Sequence, residues 1–91
     1  MKLNYINIPL YKLNYVSDVK EIKLDENFLN QFCAEYEIEE RKGIFEQLDW
    51  AVKNPTYNFN SLVVPTDKFT NKEIYDYIEK LHKFILENKV F

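Results

Sequence analysis

The chain is poor in the residues that most often announce a special chemistry. Its single cysteine, Cys33, excludes an internal disulfide and points to a reduced, intracellular setting. Its single histidine, His82, cannot build a zinc site, which needs more imidazole or thiolate ligands than the sequence owns. One glycine excludes a glycine-rich phosphate loop. With only three prolines beside it, the same scarcity argues against disorder and against a turn-rich all-β barrel. No positively charged leader precedes an apolar run, and no stretch approaches the ~20 apolar residues that span a bilayer. A cytoplasmic location without membrane contact is therefore expected. A basic patch is missing too: the net charge is −3, which argues against a nucleic-acid partner, since such binding displaces counterions with lysine and arginine.

What the chain does have is bulk. Of its 91 residues, 46 % are hydrophobic, and seven Phe, seven Tyr and one Trp can fill a core that a short chain otherwise struggles to build. One domain over residues 1–91 is expected. The charge is uneven: residues 1–24 carry +2, residues 25–54 carry −5, and residues 55–91 are neutral. The acidity of the middle third suits a basic protein partner.

The tetrad Lys2-Leu3-Asn4-Tyr5 returns as Lys12-Leu13-Asn14-Tyr15. It is too short for a duplication. Leu3 to Val16 is rich in Tyr, Ile and Leu, with Ile6, Ile8 and Leu10 on one parity and Tyr11, Leu13 and Tyr15 on the other. That pattern predicts a strand bent near Pro9. A turn at Val16–Asp18 and a second strand over Val19–Leu24 complete a β-hairpin. A first helix starts at Asp25, an N-cap, with Phe28, Leu29, Phe32 and Tyr36 at helical spacing. A second runs from about Glu37 to Lys53. Its apolar arc is Ile38, Ile44, Phe45, Leu48, Ala51 and Val52, and Asn54-Pro55 stops it. Gly43 weakens this helix and marks a close approach. After a connection pinned by Tyr57, Phe59, Leu62, Val63 and Val64, the capping box Thr70–Glu73 and the staple Phe69–Ile74 open a final helix with the stripe Ile74, Ile78, Leu81, Ile85. The fold class predicted is α+β, an N-terminal β-hairpin packed on a three-helix bundle.

Catalytic chemistry finds little footing. His82 has no nucleophile or second ligand among its helical neighbours Ile78, Glu79, Ile85 and Leu86, and reads as a boundary residue. Cys33 reads as a small apolar residue on the first helix. A convergence of Glu35 or Glu39 with His82 is the weakest reading, so the chain is taken not to be an enzyme and to need no cofactor or metal. Partner binding has better candidates. Glu35, Glu39, Glu46 and Asp49 fall on one face if the second helix continues back to Glu35. Such a run is either a solvated helix face or a docking face for a basic partner. Trp50 lies off the apolar arc beside Gly43 and Gln47; either the hairpin or the long connection covers it, or it is an exposed anchor. Tyr75 projects from the final helix's core stripe, and Tyr5, Tyr11 and Tyr15 line the outer hairpin face. Self-association through the hairpin edge, giving a homodimer, is the competing reading.

The most distinctive words are Ile44-Phe45-Glu46-Gln47-Leu48-Asp49-Trp50-Ala51-Val52-Lys53-Asn54-Pro55 and Asn71-Lys72-Glu73-Ile74-Tyr75-Asp76-Tyr77-Ile78. With the short, acidic, aromatic-rich profile of the whole chain, they resemble the small immunity proteins of bacterial toxin systems, of the colicin and contact-dependent growth inhibition kinds. The resemblance implies an antitoxin that binds one cognate toxin, a nuclease among the options, and blocks its active site or its access to substrate. Nuclease toxins are commonly basic, which suits an acidic inhibitor.

Overall fold

Local signals set the three long helices. Asp25 accepts the Phe28 N–H at 3.0 Å and opens a helix over Glu26–Glu35. Tyr36 is extended, and Glu37 then opens a second helix over Ile38–Val52, its backbone N–H donating to Glu40 Oε1 at 3.2 Å. Thr70 Oγ1 accepts from Glu73 N at 3.2 Å, while Glu73 Oε1 accepts from Thr70 N at 3.1 Å. That reciprocal pair starts the helix Asn71–Asn88. The computed structural model describes residues 5–63 and 68–91. In chain order its α-helices are α1 (Asn7–Leu10), α2 (Glu26–Glu35), α3 (Ile38–Val52) and α4 (Asn71–Asn88), with 3-10 turns at Tyr11–Tyr15, Val19–Glu21 and Phe59–Leu62.

The α+β expectation is overturned: no strand occurs among the described residues. Where the hairpin was expected, α1 runs directly into a 3-10 turn, and Ile6, Leu10 and Leu13, spaced i, i+4, i+7, are buried on one helical face. Pro9 does not interrupt this, because it sits in the first turn, where its missing N–H has no intrahelical partner to lose. The second strand is replaced by the turn Val19–Glu21. Asp18 Oδ1 accepts from Lys20 N at 2.9 Å, and Glu21 Oε2 accepts from Ser17 N at 2.7 Å. The strand edge through which a homodimer was expected to form is therefore absent among the described residues. The repeated tetrad is not strand composition either: its second copy is the 3-10 turn, and Lys2, Leu3 and Asn4 of the first lie outside the described residues, as does Val64.

The core is built on an antiparallel α3–α4 pair. The Tyr75 hydroxyl donates to the Val52 carbonyl at 2.7 Å, and His82 reaches Asp49 at 3.2 Å, so successive turns of α4 meet earlier turns of α3. Ile74, Ile78, Leu81 and Ile85 are fully buried against Ile44, Leu48 and Ala51 within one cluster. Each large aliphatic so buried stabilises by about 1.5–3 kcal/mol. The N-terminal segment caps the pair. Gln47, the one buried polar residue among the described residues, accepts both Tyr5 N at 2.9 Å and Ile6 N at 2.8 Å on its Oε1. The Tyr5 ring lies against Gly43, the close approach the glycine signalled.

Candidate functional site

Four of the candidate residues, Glu39, Glu46, Asp49 and Trp50, belong to α3, while Glu35 ends α2 and Tyr75 lies on α4. Glu39, Lys42, Glu46, Asp49 and Lys53 follow one another at three- and four-residue steps, and the opposite face carries buried Ile44, Gln47, Leu48 and Ala51. Glu39 and Glu46 are exposed and make no hydrogen bond or ion pair within the described residues. Asp49 is different. Lys53 Nζ lies 2.8 Å from its Oδ2 and His82 Nε2 lies 3.2 Å from its Oδ1. The Lys53 hydrogen bond is the main cause that holds the Asp49 carboxyl below its ordinary value; burial opposes it as the next-largest influence, and His82 adds a smaller lowering contribution. Asp49 thus ties α3 to α4 rather than standing open.

Glu35 does not join this face. α2 ends at Glu35, and the extended Tyr36 breaks the continuity that would have carried it onto the α3 stripe. It is exposed beside a small cleft lined by Ile8, Pro9, Lys12, Phe28 and Tyr36. Trp50 is half-buried: the edge-to-face ring of Tyr57, 5.2 Å away, covers it from the long connection, and Asn54 Nδ2 donates to its carbonyl at 2.8 Å. Tyr75 is also half-buried, its hydroxyl held by Val52 and its ring 6.1 Å from Phe59. These two aromatics form part of the packing between α3, α4 and the connection, and stand apart from the free carboxylates. Cys33, read as a small apolar residue, is exposed.

Other residues emerge that sequence reasoning placed elsewhere. Ile38, assigned to the apolar arc, is 50 % exposed in the first turn of α3; Leu86 on α4 is 47 % exposed. Tyr11 and Tyr15 are exposed as expected, though on a 3-10 turn, with their hydroxyls 2.6 Å apart. His82 is a boundary residue as read, and its ring stacks on Phe45 at 5.0 Å; no local window showed that partner or Asp49. The spacing Asp18-x-x-Glu21 was the available signal for the turn that replaced the second strand.

A cleft of about 500 Å³ lies between the Asp18–Leu24 segment and α4. Val19, Ile22, Leu24 and Tyr77 give it an apolar lining, and Asp76 and Lys80 give its rim opposite charges. The Tyr77 hydroxyl is not available there as an acid or base: it donates to the Pro9 carbonyl at 3.3 Å, and burial raises its pKa. No group of three or more potential metal ligands occurs among the described residues, and no helix in them is long and apolar enough to cross a membrane. Comparison of the chain with known protein families, with characterised proteins and with solved structures gives no match.

Proposed function

We propose that this chain is a cytoplasmic, stoichiometric protein inhibitor of the immunity kind, which neutralises a basic toxin domain by occupying its surface and not by turning over a substrate. One observation carries the reading: Glu39 and Glu46 stand on the same exposed stripe of α3, with no cation bound to either among the described residues. A carboxylate pair left open in this way raises the local concentration of a basic partner and speeds encounter, an effect that salt screens over about 10 Å at ordinary ionic strength. The acidic profile of the chain and the immunity-protein resemblance support the same reading.

The test is kinetic. A partner captured at low salt from the source cells is purified, and its association with the parent chain and with a Glu39→Lys/Glu46→Lys variant is followed at several salt concentrations. Slowing of the variant by tenfold or more at low salt, shrinking at high salt, is the expected result. Equal association rates across all salt concentrations refute the proposed role of the stripe. A captured partner that is a nucleic acid, or a protein released only catalytically, refutes the inhibitor reading itself.

A further inference from the structure

We propose that Tyr11 and Tyr15 form an oxidative modification site, at which hydrogen peroxide acting through a haem peroxidase joins the two rings as an intramolecular dityrosine. This chemistry is independent of the inhibitor reading. Exposure separates the seven tyrosines of the chain. Tyr11 and Tyr15 are 58 % and 72 % exposed. The other five are half-buried or buried, and Tyr75 and Tyr77 among them have their hydroxyls held on the backbone carbonyls of Val52 and Pro9. Oxidation of a phenol needs access for the oxidant and a route for the hydroxyl proton into water, and the exposed pair has both. The segment Tyr11–Tyr15 is a 3-10 turn with Leu13 fully buried at its centre, so the two rings flank an anchored residue.

The two rings also meet. Their hydroxyl oxygens lie 2.6 Å apart, at the short end for an O–H···O hydrogen bond, and the rings pack edge to face with centroids 5.3 Å apart. Tyrosyl radicals couple at Cε1 or Cε2, the neighbours of the carbon that bears the hydroxyl, so contact of the hydroxyls brings the coupling carbons close. Two groups held together in this way react as one molecule, with an effective concentration far above that of any protein in solution. Each tyrosine gives up its hydroxyl hydrogen, one electron and one proton. The two phenoxyl radicals form one Cε–Cε bond, and the hydrogens those carbons carried move to the oxygens, which restores both phenols. The pair is thereby oxidised by two electrons and loses two hydrogens. The peroxide takes up both, its O–O bond breaks, and it leaves as two waters. The product closes a covalent loop across the 3-10 turn.

The test uses the full chain carrying Cys33→Ser, because the exposed Cys33 thiol is the competing target of peroxide. The protein is treated at low concentration with a haem peroxidase and hydrogen peroxide. The expected product shows dityrosine fluorescence, runs as a monomer on a denaturing gel, lacks two hydrogens by mass, and on proteolysis yields a cross-link between residues 11 and 15. Its rate constant is expected to hold as the protein is diluted. Tyr11→Phe and Tyr15→Phe in the same background, each of which keeps the ring and removes a hydroxyl, are expected to lower the monomeric product by about tenfold or more. Tyr57→Phe is expected to leave it at the parental level. Thermal unfolding of these variants, run alongside, reports that the fold is intact. Monomeric dityrosine that persists in Tyr11→Phe, a cross-link that maps to another tyrosine, or dityrosine confined to dimers overturns the proposal. So does a parent protein that forms none while free tyrosine couples under the same conditions.

Discussion

Gly43 sits in the middle of α3, where alanine is the better helix former by about 1 kcal/mol. On propensity alone, Gly43→Ala stabilises the protein. The structure reverses that expectation. A Cβ at this position falls 2.7, 2.8 and 3.1 Å from Cε2, Cδ2 and Cζ of Tyr5, against the 3.5–4.0 Å at which carbon atoms rest. The ring must retreat by about 1 Å, and its neighbour Ile6 is fully buried with its N–H held by Gln47, which limits how far the segment can yield. Overpacking of this kind costs about 1–3 kcal/mol. Set against the helical gain, the single variant is expected to lose about 1 kcal/mol, or roughly 4–8 °C in melting temperature for a domain of this size. In a Tyr5→Ala background the clash is gone, and the same substitution should now stabilise by about 1 kcal/mol. Urea unfolding of the four proteins in this cycle gives the coupling directly. Gly43→Ala that stabilises both backgrounds equally would falsify the claim that Tyr5 packs on this glycine, and with it the docking of the N-terminal segment along α3.

Three further predictions test other parts of the molecule. Gln47→Leu leaves the N–H groups of Tyr5 and Ile6 without the carbonyl oxygen they share, and urea denaturation should show a loss of about 2–4 kcal/mol; a loss below ~0.5 kcal/mol contradicts that hydrogen-bond pair. Lys89→Gly relieves the left-handed backbone at the end of α4 and should raise stability by about 1 kcal/mol in thermal unfolding; a decrease refutes the strain. Asp49 has a pKa depressed in the folded state, so its contribution is present above the ordinary value of 3.8 and fades as pH falls through the folded value. The stability gap between the parent and Asp49→Asn should accordingly be open at neutral pH and close as the pH falls below 3.8 and through the depressed folded-state value; a gap that stays constant down to acid pH contradicts the Lys53–Asp49–His82 arrangement.

The three long helices were legible because their boundaries are local. Asp25, Thr70 with Glu73, and Asn54 before Pro55 act within one turn of themselves, and each does so where it was read. The N-terminal segment was not legible in the same way. Its Ile and Tyr content and its short alternation favour a strand, while the buried trio Ile6, Leu10 and Leu13 at helical spacing favours a helix. The partners that decide between them, Gly43 and Gln47, lie about forty residues away, beyond any local window. The candidate face was half legible. Glu39, Glu46 and Asp49 share a stripe because they share a helix, but Glu35 fell away at Tyr36, and Trp50 and Tyr75 were drawn into packing by Tyr57, Phe59 and Val52. Ile38 was assigned to the interior by its angle on the wheel, yet it is half exposed in the first turn of α3.

The twin acceptance by Gln47 also orders events in time. Residues 5 and 6 leave the ribosome before the side chain that receives them exists, and the contact spans 41 or 42 positions. The α3–α4 contacts close loops of similar size, 23 positions for Val52–Tyr75 and 33 for Asp49–His82, and need residues that follow Gln47 in the chain. The head of the chain can therefore meet its partner on α3 before α4 has been made, and because both backbone groups rest on one side-chain oxygen, amide exchange at Ile6 should be faster in a Gln47→Leu variant than in the parent.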